Sequence, residues 1–391
     1  MDLYLKVPNE LSIQNQENGD HKMQRQVSEN PDETIESKGL RFCQRFLQGR
    51  WKDVSEKDFT VERIHGGLSN YLYLCSLPKD VDPINGEPRH ILLRIYGQIL
   101  VEHPDTMVLD SVIFALMSEK KLGPKLYGVF TGGRLEEYIP ARCLLTEELH
   151  IPVISLECAK RMARIHQLHM PLCKEPTYIW DAMKRWLDES LNEITFDQSD
   201  VDSTVKFNKL LSYNLAEEYE CLKETLAAVH SPVVFCHNDM QEGNILFMED
   251  EEPGNQLLPI DFEYAGYNYR GFDIGNHFCE WSYSYKNDRP PYYHASLADY
   301  PSRDQQLLFI REYIRESGIE NDNGETEEKM LLEVNTYALA SHFMWTLWSI
   351  VQTRISHIQF GYLDYALARI EGYFWLKDRI NTFSNHQTRK Q

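Results

Sequence analysis

The chain has 391 residues, and its 40 Lys+Arg stand against 60 Asp+Glu, a formal charge of −20. That length is enough for two lobes with their own buried cores, and the acidic balance opposes non-specific attraction to nucleic acid or to an anionic membrane surface. A small cationic molecule suits such a surface, which also serves plain solubility.

Residues 1–36 are rich in Asn, Gln, Glu, Asp and Ser without apolar periodicity, which predicts a mobile polar leader. The opening MDLYLKVPNELSIQ has neither the charged nor the apolar region of a secretory signal. Eight scattered cysteines without a CxxC pair point to reduced thiols and a cytoplasmic location. Helical spacing over 39–51 gives way to strand-like alternation over 59–75, broken by Gly66-Gly67. A short apolar strand over 91–96 follows, then a helix over 107–121 stopped at Gly123-Pro124, then strands at 125–130 and 134–139. These elements predict a small antiparallel sheet with one helix, a first lobe over 37–140.

From 141 to 391 the period is mostly helical, with amphipathic runs near 155–169, 178–194 and 205–230. Two apolar strands, 233–236 and 257–260, flank the acidic turn-forming stretch 249–255. A polar linker over 316–329 separates a helix at 304–316 from a long C-terminal helix beginning near Met330. The apolar stretch 339–351 is interrupted by Ser341, His342 and Thr346 and is shorter than the ~20 residues that span a bilayer. It reads as a buried helix, with no stable membrane insertion. The fold class expected is α+β, with two lobes, the second helix-rich.

The chemistry concentrates around the two apolar strands. His237-Asn238-Asp239 leaves the first, and the Asp followed five residues later by Asn244 resembles the catalytic loop of protein-kinase-like enzymes. Asp261 lies seventeen residues beyond Asn244, at the end of the second strand. Asp239 is thereby placed to take a proton from an alcohol, and Asn244 and Asp261, hard oxygen donors, to hold magnesium on nucleotide phosphates. A lone Asp and Asn at this spacing also occur as helix caps and turns, and the joint pattern is what points to function. His237, two before the Asp, reads as a structural hydrogen-bonding residue in preference to a base.

A kinase also needs a cradle for polyphosphate. The run Gly66, Gly67, Leu68, Ser69, Asn70 between strands allows backbone N–H groups to come close to one, and an ordinary hairpin turn explains the glycines as well. Arg94, alone in the apolar strand ILLRIYG, suits a nucleotide phosphate if buried and solvent if on an edge. Asp110 is the acid expected to pair with it. Trp345 and Trp348, three apart on one helix, are read either as core packing or as a cation-binding face.

At this point the chain resembles the choline/ethanolamine kinase family over about residues 39–375. The resemblance rests on GGLSN at 66–70, LLRIYG at 92–97, LGPKLYG at 122–128, FCHNDMQEGNIL at 235–246 and IDFEYAGYNYRGFDIGNHFCEW at 260–281. It implies a protein-kinase-like fold whose first lobe binds ATP, with Asp239 as catalytic base, Gln241 and Asn244 lining the metal and phosphate site, and Asp261 on Mg2+. It also implies that the connecting run Glu136, Glu137, Tyr138, Ile139, Pro140, Ala141, Arg142 holds adenine. Tyr264, Glu280, Tyr285, Trp345, Trp348, Phe360 and Tyr365 match positions of the family's choline pocket, with Glu280 expected to carry most of its charge. The implied reaction is phosphorylation of choline to phosphocholine for phosphatidylcholine synthesis, by a cytoplasmic homodimer that binds no nucleic acid. Ethanolamine as acceptor, an aminoglycoside phosphotransferase and an inactive pseudokinase scaffold are the alternatives. Three departures from the family pattern stand out: Asp110 where a Glu is usual, Pro259 in the metal-bearing strand, and Ser284 where an acid is usual.

Overall fold

A computed structural model describes residues 34–64, 70–96, 104–197, 199–321, 324–356 and 358–388. The run 66–69 and nearly all of the expected leader lie outside these residues. The chain divides into two compact units, one ending at Ile139 and the other beginning at Pro140.

The first unit opens with α1 (Ile35–Phe46), whose start is fixed by the Thr34 hydroxyl accepting from the Ser37 N–H at 3.3 Å. The helix expected over 39–51 thus begins earlier and stops at Phe46, and Gly49–Lys52 tightens into a 3-10 turn. An antiparallel sheet follows, built from β1 (Thr60–Ile64), β2 (Asn70–Ser76), β3 (His90–Tyr96), β4 (Leu126–Phe130) and β5 (Gly133–Glu137), in the order β1-β2-β3-β5-β4. Between β3 and β4 runs α2 (Pro104–Glu119). Phe42, Cys43, Trp51, Phe59, Cys75, Ile91, Leu93 and Leu135 form this unit's core. Their removal from water is its main source of stability.

The second unit is helix-rich. Its helices are α3 (Pro152–His166), α4 (Thr177–Asn192), α5 (Val201–Leu211), α6 (Leu215–Ala227), α7 (Arg270–Glu280), α8 (Arg303–Ser317), α9 (Glu325–Ile355) and α10 (Tyr362–Thr388). The single helix expected over 205–230 is two, because Asn214 adopts a left-handed backbone (φ 52°) between α5 and α6. The long C-terminal helix expected from near Met330 is α9, which starts a little earlier, at Glu325, and is followed by α10. The chain turns after Ser356, and Gly361 approaches Pro291 so closely that a Cβ would lie 2.5 Å from that ring.

Three small sheets hold the functional loops. β6 (Arg142–Cys143), β8 (Ile245–Phe247) and β9 (Leu257–Pro259) form one small sheet; β7 (Val233–Cys236) pairs with β10 (Gly266–Tyr269); β11 (Tyr283–Ser284) pairs with β12 (His294–Ala295). Pro259 is accommodated because β9 is an edge strand. The Ile260 N–H bonds Asn244 O at 2.9 Å, so the nitrogen of Pro259 faces outward, on the side where the Leu257 N–H finds Glu157 Oε1 at 2.9 Å. Helix α7 touches α9 backbone to backbone at Gly275, where a Cβ would stand 2.7 Å from Val334 O and 2.8 Å from Ala338 N.

Candidate active site

The loop after β7 is held by a lattice of polar contacts. Asp273 on α7 accepts the backbone N–H groups of His237 and Asn238, both at 2.8 Å, and bonds His166 Nε2 at 2.9 Å. Burial alone would raise the Asp273 carboxyl, but His166, His237 and these N–H groups outweigh it and hold the carboxyl below its ordinary value. Asn238 takes the left-handed region (φ 67°), donates to Tyr264 O at 2.8 Å and accepts from Asn268 Nδ2 at 2.8 Å. Asparagine tolerates that conformation better than most residues.

His237 is fully buried, and its Nδ1 accepts the Asp239 N–H at 3.3 Å, which leaves Nε2–H to donate to Ile260 O at 3.0 Å. Burial pushes its pKa down, so the ring is a neutral strut between the loop and the strand that leads to Asp261. With its one acceptor nitrogen engaged, it is not positioned as a base.

Asp239 emerges from this frame with Oδ2 receiving Asn244 Nδ2 at 2.8 Å, while the same amide bonds Asp239 O at 3.0 Å. Burial, then the charges of Glu280, Glu263 and Asp261, push the Asp239 carboxyl well above its ordinary value, against the Asn244 hydrogen bond. Asp261 follows Ile260 directly and also has a left-handed backbone (φ 64°). Such clustered carboxylates call for cations, and Asp261 together with the oxygen of the Asn244 amide is a donor set that fits magnesium. Gln241 Oε1 is occupied by the Gly243 N–H at 2.6 Å and starts the short turn that presents Asn244.

The aromatic residues picked from the sequence form a connected network in this unit. Ring centroids lie 5.7 Å apart for Tyr264–Trp345, 5.3 Å for Trp345–Trp348, 5.6 Å for Phe360–Tyr365 and 6.1 Å for Tyr285–Tyr365. Tyr362 connects Trp348 to Phe360. Trp345 Nε1 donates to Asn276 Oδ1 at 2.8 Å, an acceptor shared with the Ser341 hydroxyl at 2.7 Å. Glu280 closes the network through the Tyr285 hydroxyl at 2.8 Å and an ion pair with Arg369. The sequence reading does not find Arg369, Asn276, or the rings of Tyr283 and Tyr293, whose centroids lie 5.5 and 5.3 Å from that of Tyr365; the spacing Tyr365/Arg369, one helical turn, was the available signal.

In the first unit the expected pairing of Asp110 with Arg94 is not formed. Arg94 Nε and Nη2 each lie 3.1 Å from Glu136 Oε1, whereas Asp110 pairs with Arg134, whose Nε also meets Glu136 Oε2 at 2.8 Å. The register explains the exchange. Arg94 and Arg134 are directly opposite on β3 and β5, so Glu136, two residues along β5, reaches both. The carboxylate of Glu136 therefore belongs to a buried strand network and not to the connecting segment. Glu137 accepts the Lys125 N–H at 3.0 Å, Tyr138 packs on His90, and Arg142 forms a two-pronged pair with Glu148 at 2.7 Å.

A kinase-type catalytic loop joined to a carboxylate-bearing strand defines a phosphotransferase of the protein-kinase-like class. The choline/ethanolamine kinase family matches residues 61–374. The chain is 46% identical over 380 residues to choline kinase alpha of Mus musculus, a match covering 90% of this chain and 83% of the relative. It is 46% identical over 354 residues to choline/ethanolamine kinase of Homo sapiens, covering 89% and 87%. Among solved structures it matches choline kinase from Cryptosporidium parvum with a TM-score of 0.73 and 27% identity, over 88% of this chain and 96% of that one. The chain belongs to the choline/ethanolamine kinase family.

Proposed function

We propose that the protein transfers the γ-phosphoryl group of ATP to the hydroxyl of choline, giving phosphocholine and ADP, the first step of phosphatidylcholine synthesis. The observation that carries this reading is the Asp239–Asn244 bond, set beside Asp261 and among acids and aromatic rings. Asp239 orients the alcohol and takes its proton as the new P–O bond forms; an alcohol is too weak an acid to be ionised beforehand. Accepting that proton needs the carboxylate form, and the positive charge of cations entering the site would offset the burial and the neighbouring acids that raise the Asp239 carboxyl. Asn244 and Asp261 are the residues that would hold Mg2+, which neutralises charge on the phosphates.

In the first unit Arg94, oriented by Glu136, is assigned to a nucleotide phosphate, as is the run 66–70, and the segment that follows Glu136, residues 137–142, is assigned to adenine. Choline cannot donate a hydrogen bond through its nitrogen, so Tyr264, Tyr285, Trp345, Trp348, Phe360 and Tyr365 hold it by their faces, beside the Glu280–Arg369 ion pair and with Asp239 supplying negative potential. A cytoplasmic homodimer is part of the same proposal, and among the described residues no helix is long and apolar enough to cross a membrane. Ethanolamine is the second reading, favoured by Ser284 standing where the family has an acid.

Magnesium-dependent ADP release, measured with choline, ethanolamine and an aminoglycoside, tests the assignment. The highest kcat/KM is expected for choline. A higher value for either rival acceptor overturns it, and no release with any acceptor favours a scaffold.

A further inference from the structure

The acid of the aromatic network is already engaged. Glu280 is 1% exposed and Arg369, on α10, is 0% exposed. Glu280 Oε1 pairs with Arg369 Nη2, and Oε2 accepts the Tyr285 hydroxyl at 2.8 Å. Arg369 also reaches the Tyr365 hydroxyl from Nε at 2.8 Å and from Nη2 at 2.5 Å, and the Tyr285 hydroxyl from Nη2 at 3.3 Å. The two hydroxyls lie 2.8 Å apart, and the guanidinium carbon sits 3.9 Å from the centre of the Tyr283 ring. One guanidinium thus fixes the orientation of a carboxylate and two phenols at once, which its planar fork permits and a point charge would not.

This matters for which cation the pocket accepts. A primary ammonium brings three N–H groups that must find acceptors once water is removed, and each left unmet is costly. A quaternary ammonium brings none and needs only negative potential and aromatic faces. We propose that Arg369 is a specificity-determining positioning residue. By neutralising Glu280, taking a bonding site on its Oε1 and ordering the hydroxyls of Tyr285 and Tyr365, it leaves fewer and weaker acceptors for a primary ammonium and biases the site toward quaternary amino alcohols. The inference rests on the acceptor assignment proposed above. Without Arg369, Glu280 would be a buried carboxylate in need of a partner, and the cation donating more hydrogen bonds would gain most.

The test compares kcat and KM for choline and ethanolamine, at saturating MgATP, in the wild type, Arg369→Met, Arg369→Lys, Glu280→Gln and Glu280→Gln with Arg369→Met. In Arg369→Met the choline-to-ethanolamine ratio of kcat/KM is expected to fall about tenfold or more, through KM. Arg369→Lys, which keeps a buried charge, should fall in between and serves if the Met variant does not fold. In the Glu280→Gln background the Arg369 change should leave the ratio where Glu280→Gln put it. An unchanged ratio in folded Arg369 variants, or an equal loss of kcat for both acceptors, overturns the proposal and leaves Arg369 as packing. A wild type inactive on both alcohols would instead sink the functional assignment itself.

Discussion

The loop bearing Asp239 and the pocket around Glu280 are built by different means within one unit. The loop is fixed through its backbone: Asp273 grips two successive N–H groups, His237 bridges to the next strand, and Asn238 is bonded on both sides. The pocket is fixed through side chains, as aromatic rings in edge contact around one ion pair. Proton transfer requires atoms to be placed within tenths of an ångström, whereas attraction of a bulky cation to a ring face falls off gently. Damage to the loop should therefore appear in kcat, and damage to the pocket in KM.

The largest break in this contrast is Asp239→Ala, expected to lower kcat about 10²- to 10⁴-fold while nucleotide affinity persists. Steady-state kinetics beside a nucleotide titration checks it, and near-normal turnover would remove Asp239 from the mechanism. Trp348→Ala should act on the other side, raising choline KM about two- to thirtyfold, equivalent to ~0.5 to 2 kcal/mol of cation–π attraction. Trp348 is the cleaner probe of the pair, because Trp345 also anchors Asn276. A kcat loss without a change in KM would assign Trp348 to the core.

The smallest effect on rate is expected at Glu242, whose influence should be read in stability. This buried residue accepts from Thr146 at 3.0 Å, and burial, then Glu280, push its carboxyl up to about 7 from 4.5. The folded chain thus retains a proton between those values that the unfolded chain has lost. The stability this supports is complete below pH ~4.5 and is lost as pH rises through about 7. Glu242→Gln mimics the protonated form, so its Tm relative to wild type should be higher at pH 8 than at pH 5. A gap independent of pH would mean that Glu242 does not titrate in this range.

The catalytic loop was legible in the sequence because its determinants are local: an Asp, an Asn five residues on, and an apolar strand on either side. The aromatic network was legible only through family resemblance, since from spacing alone Trp345 and Trp348 read more readily as core. The partner of Arg94 was not legible, because strand register and not sequence distance brings Glu136 to it, 42 residues away. Arg369 was hidden for the same kind of reason, its carboxylate lying 89 residues earlier on another helix. The break at Asn214 escaped notice because a single left-handed residue leaves the apolar period nearly intact.

Helix α7 has a consequence of its own. Within eleven residues it supplies Asp273 to the loop, Asn276 to Trp345 and Glu280 to the ion pair, and at Gly275 it rests directly on the main chain of the helix bearing both tryptophans. On the assignment proposed above, grip on the alcohol and aim of the base are thereby indexed to one shared edge. With no side chain to act as a spacer there, neither can drift without carrying the other along.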